Sequence, residues 1–128
     1  MANDLNRITY VEDEPDIREV AQIALETLGG FTLDICVNGM EAVEKAPSFE
    51  PDLILLDVMM PGMDGIETFQ KLRSNPKLAK TPIIFMTAKA HTEELERYSA
   101  LGCAGVISKP FDPMTLSDKI RGIWDHQH

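Results

Sequence analysis

The chain has 128 residues, 44% of them hydrophobic, and a net charge of −9, which is the size of one compact domain with enough apolar content for a core. No apolar run approaches the ~20 residues of a membrane span, and the opening MANDLNR lacks the apolar stretch of a signal peptide, so a single cytoplasmic domain over residues 1–128 is expected. The acidic balance repels phosphate backbones and argues against direct binding of nucleic acid.

Arg7 to Val11 reads as a strand that runs into a carboxylate cluster, Glu12-Asp13-Glu14. Pro15 suits the first turn of a helix, where its missing N–H costs nothing. Ile17, Val20, Ala21, Ala24 and Leu28 then mark one predicted helical face, and Gly29-Gly30 stops it. Leu33, Ile35 and Val37 alternate, as in a strand with one more exposed face. A short helix is predicted over Gly39 to Ala46. Asp52 to Asp57 reads as a strand buried on both faces, and Pro61-Gly62 as a turn. Ile66, Phe69 and Leu72 face a core from the next helix. Pro82 to Met86 is a strand, Leu95, Tyr98 and Leu101 mark a helix, and Gly105 to Ile107 is a short strand. Asp112-Pro113 has the chemistry of an N-cap and first helical position. Leu116, Ile120, Ile123 and Trp124 form the last helical stripe. Cys36 and Cys103 are far apart without C-x-x-C spacing and are expected to be small buried apolar residues.

About five strands alternate with about five helices. Strands apolar on both faces and joined by helices imply a parallel sheet covered on both sides. Right-handed crossovers make it doubly wound. In such α/β sheets a ligand sits beyond the carboxyl ends of the strands, near the switch point. The polar residues lie there: Glu12 and Asp13 after the first strand, Asp57 at the end of the third, Thr87 after the fourth, and Lys109 after the fifth.

Each of these has an ordinary explanation when taken alone. Asp57 could cap a loop, and Glu12-Asp13 could cap the helix near Pro15. Thr87 could be a turn hydroxyl, and Lys109 a solvated cation. Together they say more, because the fold brings strand ends together. Like charges about 4 Å apart repel by up to about 4 kcal/mol at an effective dielectric of about 20. Something must offset the three acids. Hard oxygen ligands with few protein donors suit Mg²⁺. Lys109 supplies a further positive charge, and Thr87 can donate to an incoming oxyanion. The set suits phosphoryl transfer to a carboxylate nucleophile. No Gly-rich phosphate loop is present.

Four stretches carry a family resemblance: Val11-Glu12-Asp13-Glu14, Leu55 through Gly65 (LLDVMMPGMDG), Met86-Thr87-Ala88, and Lys109-Pro110-Phe111. In this order they resemble the receiver domain of two-component response regulators, over essentially the whole chain. The resemblance implies a flavodoxin-like sheet of order 2-1-3-4-5. It implies Asp57 as phosphoacceptor, Asp13 as the main Mg²⁺ acid, and Glu12 acting partly through water. The backbone carbonyl of Met59 would be the third protein ligand. Thr87 would contact the phosphoryl group, and Lys109 would pair with its oxygen. Lys109-Pro110 is commonly cis in the family, and Ala88 leaves room for the donor. Implied partners are a sensor histidine kinase or phosphotransfer protein and a downstream protein target.

Two positions depart from the commonest pattern. Many receivers have an aromatic residue where this chain has Val106, which puts an aromatic rotamer switch in doubt, and many have Asp where it has Glu12. No output domain is recognisable after residue 125, so a stand-alone receiver resembling the chemotaxis regulators is expected, with a piece of a larger kinase or regulator as the alternative. The chain is expected to catalyse only its own phosphorylation and dephosphorylation. A degenerate receiver and an aspartyl-nucleophile phosphatase are the rival readings. The phosphatase class usually needs a second acid two residues after the nucleophile, where this chain has Met59.

Overall fold

The structure, a computed structural model, describes residues 5–59, 64–88 and 91–127. Five strands, β1 (Arg7–Val11), β2 (Thr32–Cys36), β3 (Leu53–Asp57), β4 (Ile83–Thr87) and β5 (Gly105–Ser108), form one sheet. Its order is β2-β1-β3-β4-β5 and every pairing is parallel. The helices are α1 (Pro15–Gln22), α2 (Gly39–Phe49), α3 (Gly65–Ser74), α4 (Thr92–Leu101) and α5 (Leu116–Gln127). The expected doubly wound architecture is therefore the observed one. The Pro61-Gly62 turn lies outside the described residues.

The central strands are legible because both of their faces are apolar. Every residue of β3 and β4 is buried. Successive side chains point to opposite faces, so each strand feeds two cores. On one face Ile8, Tyr10, Leu53, Leu55, Ile84 and Met86 meet Ala21, Ala24 and Leu25 and the α5 stripe Leu116, Ile120 and Trp124. On the other, Val11, Ile54, Leu56, Ile83 and Phe85 meet α2, α3 and α4 through Ala42, Phe69, Leu72 and Tyr98. Phe85 stacks edge-on with Phe69 (centroids 5.3 Å apart) and with Tyr98 (5.2 Å).

Several boundaries differ from the sequence expectation. Val20 and Leu28, placed on the core face of the first helix, are exposed, and Leu25 is buried instead. Val20 lines a cleft beside Asp57 and Lys109. For Leu28 the reason is a π-helical segment, Ile23–Leu28, that begins after Val20 and continues α1. Its i→i+5 turns take in an extra residue and rotate the stripe. The freed geometry is tied to α5, where Ser117 donates to the carbonyl of Ala24 at 3.0 Å. α2 does not stop at Ala46 but runs through Pro47 to Phe49. Proline removes one bond there. The added turn is held by Arg7, whose guanidinium donates to the Phe49 carbonyl and lies 4.2 Å from the Phe49 ring.

α5 begins at Leu116, later than Asp112-Pro113 suggested. Asp112 instead accepts from the backbone N–H of Met114, closing a turn ahead of the helix. Val37 falls just beyond β2 and is exposed, whereas Leu33 and Ile35 pack on the core as expected of an edge strand. Cys36 is buried and Cys103 half-buried, both as free thiols. Burial pushes the Cys36 thiol up to about 12, which keeps it protonated and unreactive.

Candidate phosphoacceptor and metal site

The strand order reverses between β1 and β3. Residues just past the ends of these neighbouring strands must therefore meet. Among the described residues, Glu12, Asp13 and Asp57 each bring one carboxylate oxygen into a group of three that lie within 4.8 Å of one another. Glu12 and Asp57 are almost fully buried, while Asp13 is partly exposed. Lys109, beyond the end of β5, reaches across to both buried acids. Its Nζ is 3.1 Å from Glu12 Oε1 and 3.3 Å from Asp57 Oδ2. The Lys109-Pro110 bond is cis. The Lys109 backbone N–H donates to the Thr87 carbonyl at 2.9 Å, tying the end of β4 to the lysine. Thr87 is itself buried.

The loop after Asp57 folds back on the carboxylate. The Met59 N–H donates to Asp57 Oδ1 at 3.0 Å. Gly65 allows this return. A Cβ there would lie 2.4 Å from the Val58 Cα and 2.7 Å from the Asp57 carbonyl oxygen, so any side chain would push α3 away from the end of β3.

Sequence reasoning brought Glu12, Asp13, Asp57 and Lys109 together correctly but missed two neighbours. Tyr10 lies buried beneath the site, with its hydroxyl 3.4 Å from Glu12 Oε1. Arg18 donates from Nη1 to the carbonyls of Glu12 (3.0 Å) and Asp13 (2.9 Å). A signal for Arg18 was available. Helical side chains lean toward the N-terminus, so a long donor one turn after Pro15 reaches back over the acidic loop.

The donor set suits a hard divalent cation. Three carboxylates share one partly buried ammonium, which reaches Glu12 and Asp57, and among the described residues Asp13 Oδ1 is buried with no hydrogen-bond partner. Such an orphaned anionic oxygen needs a cation or water, and oxygen ligands of this kind suit Mg²⁺. Burial, with the neighbouring Asp57 carboxylate, raises Glu12 from 4.5 to about 7, against the pull of Lys109. Burial lowers the Lys109 ammonium, but the Glu12 and Asp57 carboxylates outweigh it and the net shift is upward. Lys109 therefore stays charged.

Binding of a cation at these acids should therefore depend on pH. A cation must displace the Glu12 proton below about pH 7 but not above it. The affinity for Mg²⁺ should rise about tenfold between about pH 6 and pH 8. Titration calorimetry at the two values checks this, and equal affinities would contradict it.

Beside the acids lies a cleft of about 550 Å³, lined by Ile17, Val20, Met59, Ala88, Pro110 and Phe111, by the acids Glu14 and Asp16, and by Asp57 and Lys109. Asp57 thus faces an opening with largely apolar walls and an acidic rim at Glu14 and Asp16, large enough to admit a side chain of another molecule.

Comparison with known proteins agrees with this geometry. A family model described as response regulator receiver domain matches residues 8–121. The response regulator Rre1 of Synechocystis is 37% identical over 120 residues, covering 94% of this chain and 52% of that protein. The probable transcriptional regulator ycf29 of Porphyra purpurea is 46% identical over 94 residues, covering 73% of this chain and 45% of that protein. The chain thus spans about half the length of these relatives. Among solved structures, the chemotaxis protein CheY4 of Vibrio cholerae superposes with a TM-score of 0.86 at 29% identity, over 94% of this chain and 99% of that one.

Proposed function

Because the chain belongs to the response regulator receiver domain family, we propose that it takes a phosphoryl group onto Asp57 and changes conformation to regulate a downstream protein. The donor is a phosphohistidine of a sensor kinase or phosphotransfer protein. The observation that carries this reading is the Asp57 carboxylate at the mouth of β3, buried between the other two acids and the Lys109 ammonium.

An Asp57 carboxylate oxygen attacks phosphorus. The P–N bond to the donor imidazole breaks, the ring keeps the electron pair and takes a proton, and an acyl phosphate forms. Lys109, already within reach of Asp57, pairs with an oxygen of the arriving group. The Thr87 hydroxyl donates to another. Glu12, Asp13, Asp57 and the Met59 carbonyl would hold Mg²⁺, which supplies charge neutralisation during the transfer. Slow attack by water on phosphorus returns free phosphate and the carboxylate. The chain acts on itself and turns over no outside substrate. Met59, two residues after Asp57, offers no acid of the kind a phosphatase of this chemistry uses.

The match to the probable transcriptional regulator ycf29 takes in 45% of that protein. With a net charge of −9, this chain's own contacts are assigned to proteins rather than to nucleic acid. Among the described residues no helix is long and apolar enough to cross a membrane.

Incubation with acetyl phosphate and Mg²⁺, followed by intact-mass measurement, tests the proposal. The wild type should gain one phosphoryl group, much less when Mg²⁺ is chelated, and Asp57→Asn should gain none. Equal labelling of wild type and variant would refute it.

A further inference from the structure

We infer that Arg18 is a positioning residue for the metal-binding acids, holding the loop that carries Glu12 and Asp13 through its backbone. The inference rests on the reading of this site as a Mg²⁺ pocket.

Glu12 to Glu14 are the only residues between the end of β1 and the start of α1. The loop is pinned on one side by the sheet, where the Glu12 N–H donates to the Cys36 carbonyl at 3.0 Å. Its helical side is poorly capped. Glu14, at the N-cap, makes no side-chain capping bond among the described residues, and Pro15 brings no N–H. Arg18 supplies the missing restraint. One nitrogen, Nη1, donates to two successive carbonyls, those of Glu12 and Asp13. Two peptide planes are thereby fixed relative to one donor, and the side chains on those residues are fixed with them. The Arg18 backbone N–H donates to the Glu14 carbonyl at 3.0 Å, so the anchor sits on the helix that the loop enters. Arg18 is half-buried and donates to backbone rather than carboxylate oxygens, so it does not compete with a cation for the Asp13 oxygens or for those of Glu12, which Lys109 already contacts.

Charge and position make opposite predictions. A nearby cation repels Mg²⁺, so if Arg18 acted by charge alone its removal would tighten binding. If it acts by position, its removal loosens the two acids and weakens binding despite the lost repulsion. The loss expected for Arg18→Met is about tenfold in Mg²⁺ affinity, the lower end for groups that orient metal ligands. Arg18→Lys keeps the charge and one donor head but not the fixed fork, and should lose less.

The test is calorimetric titration of Mg²⁺ into wild type, R18M and R18K, with the Mg²⁺-induced rise in melting temperature as a second readout. Weaker binding in R18M with a smaller loss in R18K supports the inference. Affinity in R18M equal to or tighter than wild type overturns it, even if R18M melts at a lower temperature without metal. If R18M does not fold, R18K decides, with weakened binding in support and unchanged binding against. A wild type that binds no Mg²⁺ would instead remove the reading of the site on which the inference depends.

Discussion

Replacing Lys109 with methionine will destabilise the metal-free protein by about 3 kcal/mol at about pH 8, the scale for removing one partner of a buried charge pair. Methionine fills similar space without the ammonium. Glu12 and Asp57 then face each other with no counter-charge at either oxygen that Lys109 now contacts. The loss should depend on pH in a definite sense. Glu12 is already raised to about 7 in the folded chain, above its ordinary 4.5. The folded state therefore holds that proton more tightly than the unfolded state. The stabilisation from protonated Glu12 is full below the ordinary value and is lost as pH rises through about 7. Removing Lys109 raises Glu12 further, so the variant should recover much of its stability at about pH 6. Urea denaturation at both values checks this. A Lys109→Met protein as stable as wild type at about pH 8, with an unchanged pH profile, would mean that the lysine is not the counter-charge.

Phe85→Ala is expected to cost about 3–5 kcal/mol, the usual range for truncating a buried aromatic ring. Phe85 is fully buried in the middle of β4. It is the shared member of two edge-on pairs, with Phe69 of α3 and Tyr98 of α4. Loss of the ring leaves a cavity lined from three elements, and the two outer rings lose their common partner. A rigid sheet cannot close that space from behind. Denaturant melts of the variant provide the measurement, and a loss below about 1 kcal/mol would place the Phe85 ring outside the core.

The legible and illegible parts of this chain divide along physical lines. Leu53 to Asp57 and Ile83 to Thr87 announced themselves because strands buried on both faces read as continuous apolar runs. The acids and Lys109 were legible because a doubly wound sheet gathers strand ends, so position along the chain predicted proximity in space. Where the reading failed, it depended on local geometry that composition does not encode. Leu28 left the core because the π segment rotates the stripe. Asp112 carried cap chemistry but spends it on a turn. α2 survives Pro47 because Arg7, far away in sequence, holds its last turn. Tyr10 and Arg18 looked like ordinary strand and helix residues. Their relation to the site depends on how far a side chain reaches, which a periodic pattern does not express.

The central claim is that one particular carboxylate of the three receives the phosphoryl group. Borohydride reduces an acyl phosphate to the corresponding alcohol and leaves free carboxylates untouched. Protein labelled with acetyl phosphate and Mg²⁺ should therefore be reduced, digested and mapped by tandem mass spectrometry. The account predicts a single reduced side chain, at Asp57, with Glu12 and Asp13 unaltered. Reduction at Glu12 or Asp13, or an unreduced Asp57 in fully labelled protein, would contradict it.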